Sequence, residues 1–552
     1  MVTQLSPELL GNFFEQVDND IATLRSMSLV NRFWCRVGIP ILWRTPFRIK
    51  VRYLWRQPYH NNFAPKLRNI IPVLISFLDS ESRQLLKDKD VLLINSLPSS
   101  NFDYISFLRE LDVHVLHEIV DEWLDHIGIN TINEYNDQED SVIINGHYYK
   151  KSRTIYLVIE LCKLILRHSN KITSLFISND IVKGDIIVPY CTFLKNLVSF
   201  HGASKSLSYL ETLNIRGPYI DDNLLSNLSK ICHNVSTLDL NVMNGYFGPD
   251  FTTACLPNFI KNQHNLQRIY LGCFYKDISP IIEALQTQIH SIIDIQFASC
   301  KFSQSSLMES LMNKCTKLRT ITLRSHLNDI KDMKLMIQPL VNCNLTILQH
   351  LSLDLWIYED NRFETIVRYL QKILERYGKS LNQLRLRFDY NKNPNILHEI
   401  GQHCINLNTL IFPYHRRDDL DHLLSLLPKL KNLKKLIIEA WNRVYYADEF
   451  FPHVGDLIIQ TTSRNFEMYW IINNETIDTF LKKCNNLTDH IKSFTYYCKD
   501  DPVLHCGVWR AYGDMLEKRG LIRDWSIQIL TQYFSSNVQR ELSYHIIIFK
   551  VV

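Results

Sequence analysis

The stretch "CTKLRTITL", Cys315 to Leu323, sets Leu318, Ile321 and Leu323 at i, i+3 and i+5, with polar or charged residues between them. Alternation over the last positions is the mark of a strand with one buried face. The same spacing returns at Ile172-Leu175-Ile177, Leu210-Leu213-Ile215, Val235-Leu238-Leu240, Leu266-Ile269-Leu271, Ile292-Ile295-Phe297, Leu348-Leu351-Leu353, Leu381-Leu384-Leu386, Leu407-Leu410-Phe412 and Leu433-Leu436-Ile438. The steps Leu266 to Ile292, Ile292 to Leu318, Leu381 to Leu407 and Leu407 to Leu433 are each 26 residues. A fixed period outranks other fold clues. The long step from Ile172 to Leu210 is expected to hide a degenerate unit at "KNLVSFHG", Lys195 to Gly202.

Helix-like stretches such as "NLLSNLSKICHN" and "SLMESLMNKCTK" fill the intervals, so each unit reads as one strand followed by one helix. That is a leucine-rich repeat. Cys232, Cys315 and Cys404 each stand three residues before the next unit's first apolar position, which resembles the cysteine-containing repeats often found behind F-boxes. From the Leu210 unit onward, the asparagine-or-cysteine slot eight residues after that position is filled correctly only by Cys300; Pro218, Met243, Phe274, His326, Trp356, Asp389, His415 and Trp441 occupy the others. The expected fold is α/β, a leucine-rich-repeat solenoid of horseshoe form over 168–500, closed by a capping segment over 501–552 that ends in "YHIIIFKVV".

The 552 residues are 46% hydrophobic and 21% charged, enough to bury a large core. Sixty-one Lys and Arg against 57 Asp and Glu leave a net charge of +4 without a basic run, which argues against nucleic acid as partner. The N-terminus is acidic and lacks a secretory pattern, and no stretch is apolar enough to span a membrane. Thirteen cysteines without CxxC pairs suit a reducing compartment, cytoplasmic or nuclear.

The chain opens on "LSPELLGNFFEQV", Leu5 to Val17, where Leu9, Leu10, Phe13, Phe14 and Val17 keep helical spacing, Ser6 can cap and Pro7 suits the first turn. A second helix reads through "DIATLRSMSLV", and a third carries Trp34 and Val37 and is expected to end at Pro40. Three short helices bury little surface and need metal, disulfides or a partner; no metal or disulfide spacing is present, which leaves a partner. Leu5, Glu8, Leu9, Leu10, Phe14, Val17, Val30, Arg32, Trp34, Leu42 and Trp43 resemble the F-box, with Ser6 where that family commonly has Pro. The resemblance covers about residues 3 to 47. It implies docking on the Skp-type adaptor of a cullin-RING ubiquitin ligase, with Leu5, Pro7, Glu8, Leu9, Phe13 and Trp34 as the adaptor-binding residues. The expected domains are an F-box at 1–48 and a helical connector at 49–167, with a polar loop near 129–150, ahead of the repeats.

Strings that tempt an enzymatic reading fail on geometry. "YGKS", Tyr377 to Ser380, lacks the upstream glycine of a phosphate loop because Ile373 stands there, and Gly378 reads as a helix C-cap. In "HEIGQH" the spacing puts His398 and His403 on opposite helix faces. His114, His117 and Glu118 share a face without further ligands, and a structural or surface role is favoured. "CKD" at Cys498 to Asp500 resembles the catalytic motif of bacterial leucine-rich-repeat ubiquitin ligases, but only 52 residues follow Asp500.

The expectation is therefore a non-catalytic subunit without metal or cofactor: an F-box for the adaptor and repeats for a protein substrate. A free-standing interaction scaffold, a cysteine-dependent ligase through Cys498 and a repeat-type GTPase activator are the alternatives. Strand alternation places Arg268, Tyr270, Asp294, Arg324, Asp354, Arg385, Arg387 and Glu439 on the concave face, with Arg385 and Arg387 as the leading substrate-binding pair. Trp356, Tyr358 and Trp441 also alternate onto that face, but Trp356 and Trp441 fall in a slot normally turned inward, which favours core filling.

Overall fold

The structure is a computed structural model that describes residues 6–17, 20–47, 67–89, 91, 102–127, 141–144, 147–150, 153–178, 193, 196–217, 222–241, 254–274, 276–325, 330–355, 363–388, 395–414, 422, 425–440, 465–471, 493–498, 514, 517, 525–534 and 542–551. It forms two compact units, Met1–Ile292 and Ile293–Val552.

The first unit opens on α1 (Pro7–Gln16), α2 (Ile21–Ser28) and α3 (Arg32–Leu42). Each helix has a side-chain cap for its otherwise orphaned first-turn N–H groups. Ser6 accepts from the Leu9 N–H at 3.3 Å, Asp20 from Thr23 at 3.1 Å and Asn31 from Trp34 at 2.9 Å. Contrary to expectation, Pro40 does not end α3. Its missing N–H costs one hydrogen bond near the helix end, and the Trp43 N–H still reaches the Ile39 carbonyl at 3.0 Å.

Helices follow at Ile70–Ser76, Ser80–Asp88, Tyr104–Phe107, Val113–His126 and Arg153–His168. The connector is not helical throughout. Strand β1 (Glu110–Asp112) interrupts what reads in sequence as one amphipathic helix. The reason is the repeat spacing itself: Leu108, Leu111 and Val113 stand at i, i+3 and i+5 and are fully buried. The expected polar loop contains a hairpin of β2 (Ser141–Ile144) and β3 (His147–Lys150).

Beyond β1 run β4 (Ser174–Ser178), β5 (Thr212–Arg216), β6 (Thr237–Asn241) and β7 (Arg268–Gly272), all parallel and each beside the one before, counting β1 as the neighbour of β4. Leu111, Leu175, Leu213, Leu238 and Ile269 are in register and form one buried row. Because β4 pairs directly with β5, the expected degenerate unit at "KNLVSFHG" has no strand among its described residues. It is a 3-10 turn at Leu197–Ser199 leading to Gly202, whose φ of 84° suits glycine, and a Cβ there would lie 2.7 Å from the Leu166 carbonyl.

The second unit carries β8 (Asp294–Ala298), β9 (Thr320–Ser325), β10 (His350–Leu355), β11 (Gln383–Phe388), β12 (Thr409–Tyr414), β13 (Lys435–Ala440), β14 (Asn465–Ile471) and β15 (Ser493–Cys498) as successive parallel neighbours. At its end β17 (Leu542–Val551) pairs antiparallel with β15, and β16 (Trp525–Phe534) pairs antiparallel with β17.

The residue after each unit's first apolar position joins neighbouring units. In the first unit the carbonyl of Arg109 accepts the N–H groups of Thr173 and Ser174, that of Thr173 accepts Glu211 and Thr212, and that of Glu211 accepts Ser236 and Thr237. The second repeats the device through Ile293, Arg319, Gln349, Asn382 and Asn408.

A second junction is made by side chains. Gln263 occupies the slot held elsewhere by Cys232, Cys315 and Cys404. It accepts from the Val235 N–H at 3.0 Å and donates to the Cys232 and Phe259 carbonyls, each at 2.9 Å. Gln288 accepts from Leu266 at 3.2 Å and donates to the Gln263 carbonyl at 2.7 Å. The Cys232 thiol meets the Leu207 carbonyl at 3.3 Å, and burial pushes the thiols of Cys232, Cys315 and Cys404 up to about 12. Replacing Gln263 by Leu leaves a buried N–H and two carbonyls without that partner. The expected loss is about 3 kcal/mol, read by chemical denaturation, together with faster hydrogen exchange at Val235. Unchanged stability and exchange would show that the amide does not close this junction.

Candidate functional site

The three N-terminal helices pack Leu10, Phe14, Leu24 and Ile41 at their centre, with Val17, Met27, Phe33, Trp34, Val37 and Leu42 around them. The Trp34 ring meets Phe14 edge-on, with centroids 6.0 Å apart. Gly38 permits the close approach: a Cβ there would press on the Ser28 hydroxyl and stand 2.5 Å from Phe14 Cε1. This core leaves five large apolar side chains outside it. Leu9 is 53% exposed, Phe13 58%, Ile21 50%, Leu29 76% and Val30 60%. Leu9 and Phe13 lie four residues apart and therefore share one face of α1.

Of the expected adaptor-binding residues, Leu9 and Phe13 are among these exposed apolar side chains, and Pro7 and Glu8 form the first turn of α1. Backbone hydrogen bonding and the Ser6 hydroxyl hold the Glu8 carboxyl below its usual range. Trp34 is half-buried, its ring packed edge-on against Phe14. Leu5 lies outside the described residues. Ile21 and Leu29 were not singled out from sequence, although each is an apolar residue off the core face of its helix.

The helical unit is joined to the first strand. Arg44 pairs with Glu15 at 3.0 Å, Trp43 lies against Tyr104 with centroids 4.3 Å apart, and the Arg109 N–H donates to the Arg44 carbonyl at 2.8 Å.

The expected concave-face residues divide between the two units. In the first, Arg268 is exposed and Tyr270 is buried, its hydroxyl beside Gly272. Sequence reading missed the neighbouring polar group, in which Asp239 accepts from Asn214 at 2.7 Å and Arg216 at 2.9 Å. Burial raises the Asp239 carboxyl while Arg216 and Asn214 lower it. In the second unit, Asp294, Arg324 and Arg385 are half-buried. Asp354 and Arg387 depart from the expectation of an open face. Parallel register sets them directly opposite each other, 3.5 Å apart, with side chains 4% and 3% exposed. The side chain of Glu439, and Trp356, Tyr358 and Trp441 altogether, lie outside the described residues. Phe274 and Cys300, the described occupants of the asparagine-or-cysteine slot, are both buried.

Gly378 has no left-handed φ; it sits in a 3-10 turn where a Cβ would lie 2.8 Å from His403. His403 reaches Glu399 at 3.3 Å on its own helix. His114 is buried, 3.7 Å from Glu118, and burial pushes its imidazole down to about 3 while raising Glu118 to about 7 with help from Asp112 and Asp121. Among the described residues no group of three His, Cys, Asp or Glu is arranged to hold a metal ion. Cys498 ends β15 with His545 as its ladder partner, a neighbour hidden in the linear sequence. Among the described residues no helix is long and apolar enough to cross a membrane.

No protein-family model matches the chain, and no curated protein matches it. Among solved structures it is similar to the leucine-rich repeat-containing protein LegL7 from Legionella pneumophila, at 14% identity over 50% of this chain and 90% of that one, with a TM-score of 0.28. The repeat assignment stands on this chain's own ladder: strands at the leucine-rich spacing, parallel, in register and linked by helices.

The buried pair sets a sharp expectation. Arg387→Ala removes the guanidinium buried against the Asp354 carboxylate and should cost up to about 3–5 kcal/mol, whereas Arg387→Met with Asp354→Leu should recover most of it. Thermal unfolding of the single and double variants measures this. A tolerated Arg387→Ala would show that the two charges are not coupled.

Proposed function

We propose that this chain is the substrate-recognition subunit of a Skp-cullin-F-box ubiquitin ligase. The N-terminal helices dock the Skp-type adaptor, and the repeats hold a protein substrate. The observation that carries the reading is the exposed apolar set Leu9, Phe13, Ile21, Leu29 and Val30 on a helical unit whose own core is already filled. Large apolar side chains left exposed on one small helical unit suit a protein interface, and they stand where the sequence resembles the F-box. The backbone link from Arg44 through Arg109 to β4 suits a subunit whose contribution is positioning, with ubiquitin transfer carried out elsewhere in the complex. The chain acts in the cytoplasm or nucleus and supplies no nucleophile, so Cys498→Ala should leave transfer intact.

The coarser reading, a repeat scaffold for protein interaction, is supported by the fold alone. Cullin co-purification separates the two. Leu9→Asp with Phe13→Asp should abolish adaptor and cullin capture, because buried apolar anchors each contribute about 2 kcal/mol or more, while the melting of the repeats stays unchanged. Full capture by the double variant would leave only the scaffold reading.

A further inference from the structure

The ladder of the second unit ends on a strand that carries no charge. Beyond β15 it turns antiparallel through β17 to β16, the last strand of the sheet, and among the described residues no strand pairs with the outer edge of β16. That strand is "WSIQILTQYF", ten residues without Asp, Glu, Lys, Arg, Pro or Gly. Lysine, proline, bulges and shortness are the devices that keep an edge from pairing, and its ladder with β17 runs from Trp525 to Phe534 without a register shift. Register also carries the core row out to this edge. Leu436, Phe466, Phe494, Phe549 and Ile527 are successive partners from β13 to β16, on the sheet face that buries Leu436. Alternation puts Trp525, Ile529, Thr531 and Tyr533 on the same face, and Gln528, Leu530 and Gln532 on the other. A repeat array needs a terminal unit with a polar outer face, and β16 brings only apolar, aromatic and uncharged polar residues to that place.

We infer that the outer edge of β16 pairs with β16 of a second copy of this chain, antiparallel about a two-fold axis perpendicular to the sheet. Backbone groups along ten residues form about ten hydrogen bonds in such a pairing, the number a standard protein interface carries. The residue pattern of the strand names the occupant. With Ile529 on the axis, Ile527 lies opposite Thr531 of the second copy and Trp525 opposite Tyr533 of the second copy. Aromatic and β-branched residues then meet across the core-side face, pairings that stabilise antiparallel strands. On the other face Gln528 lies opposite Leu530 of the second copy, and no charge is buried. A charged extended segment finds no complementary charge on this edge, whereas a second copy continues the core face of each chain into that of the other and closes both ends with one isologous contact. The pairing does not involve the N-terminal helices, so it can fail or succeed separately from adaptor capture through Leu9 and Phe13.

The test is sedimentation velocity of the full chain over a dilution series. The expected result is a species of twice the chain mass that gives way to single chains on dilution. Gln528→Lys with Leu530→Lys sets like charges opposite one another whether Ile529 or Leu530 lies on the axis, and both positions are on the face away from the core row. This pair should raise the concentration for half-dimerisation about tenfold or more. Mixing it with the chain carrying Gln528→Glu and Leu530→Glu should restore the dimer as a mixed species, which a merely misfolded variant would not do. Thermal melting checks that the variants fold. If they do not, hydrogen exchange of the unaltered chain carries the test: residues 525–534 lose protection on dilution while β15 keeps its own. A single-chain mass at every concentration leaves the edge to a segment of another protein and overturns the inference. So do a dimer that the folded lysine pair leaves unchanged, folded lysine and glutamate chains that do not combine, and exchange of β16 that is independent of concentration.

Discussion

A carbonyl that accepts two N–H groups from the next unit is the contact on which both halves of the molecule depend. It belongs to the residue after the first apolar position, Thr173 or Glu211 in the first unit and Arg319 or Gln349 in the second. A short strand with one buried face is not stable alone, and this bond fixes each strand to its neighbour before the ladder proper begins. Register then follows, because a slip by one residue would turn Leu213, Leu238 and Ile269 from the core to the opposite face.

Arg109 extends the same device to the N-terminal helices. Its carbonyl serves β4 as Thr173 serves β5, while its N–H donates to Arg44 at the end of the helical unit. One residue therefore belongs to both the N-terminal helical unit and the first repeat, and the exposed face of Leu9 and Phe13 is held by backbone hydrogen bonding in addition to side-chain packing. This continuity gives the proposed division of labour its physical form: an apolar surface at one end of the first unit and a ladder of outward-turned polar side chains along the strands.

Much of the fold was legible because the repeat spacing is a local pattern. The ten apolar triplets from Ile172 to Ile438 all carry strands where expected. The triplet Leu108, Leu111, Val113 was missed because it sits inside the helical periodicity of residues 104–126, and periodicity alone cannot separate a short buried strand from a helix. "KNLVSFHG" misled in the other direction, since a long interval implied a missing strand where a turn and Gly202 suffice. Gln263 was invisible as a junction residue because the cysteine pattern drew attention to a side chain of different size and chemistry. On the candidate site, sequence identified Leu9 and Phe13 and the arginines as face residues. It could not show that Asp354 and Arg387 neutralise each other, because that depends on register between strands whose partners are 33 residues apart.

The most direct measurement is hydrogen–deuterium exchange of the full chain with and without a Skp-type adaptor. If the N-terminal helices form the docking surface, amides of residues 7–16 and 21–30 gain protection on adding the adaptor, while the repeat strands from β5 onward exchange at unchanged rates. Protection confined to the repeat strands, or none anywhere at saturating adaptor, would contradict the assignment of the helical unit to adaptor docking.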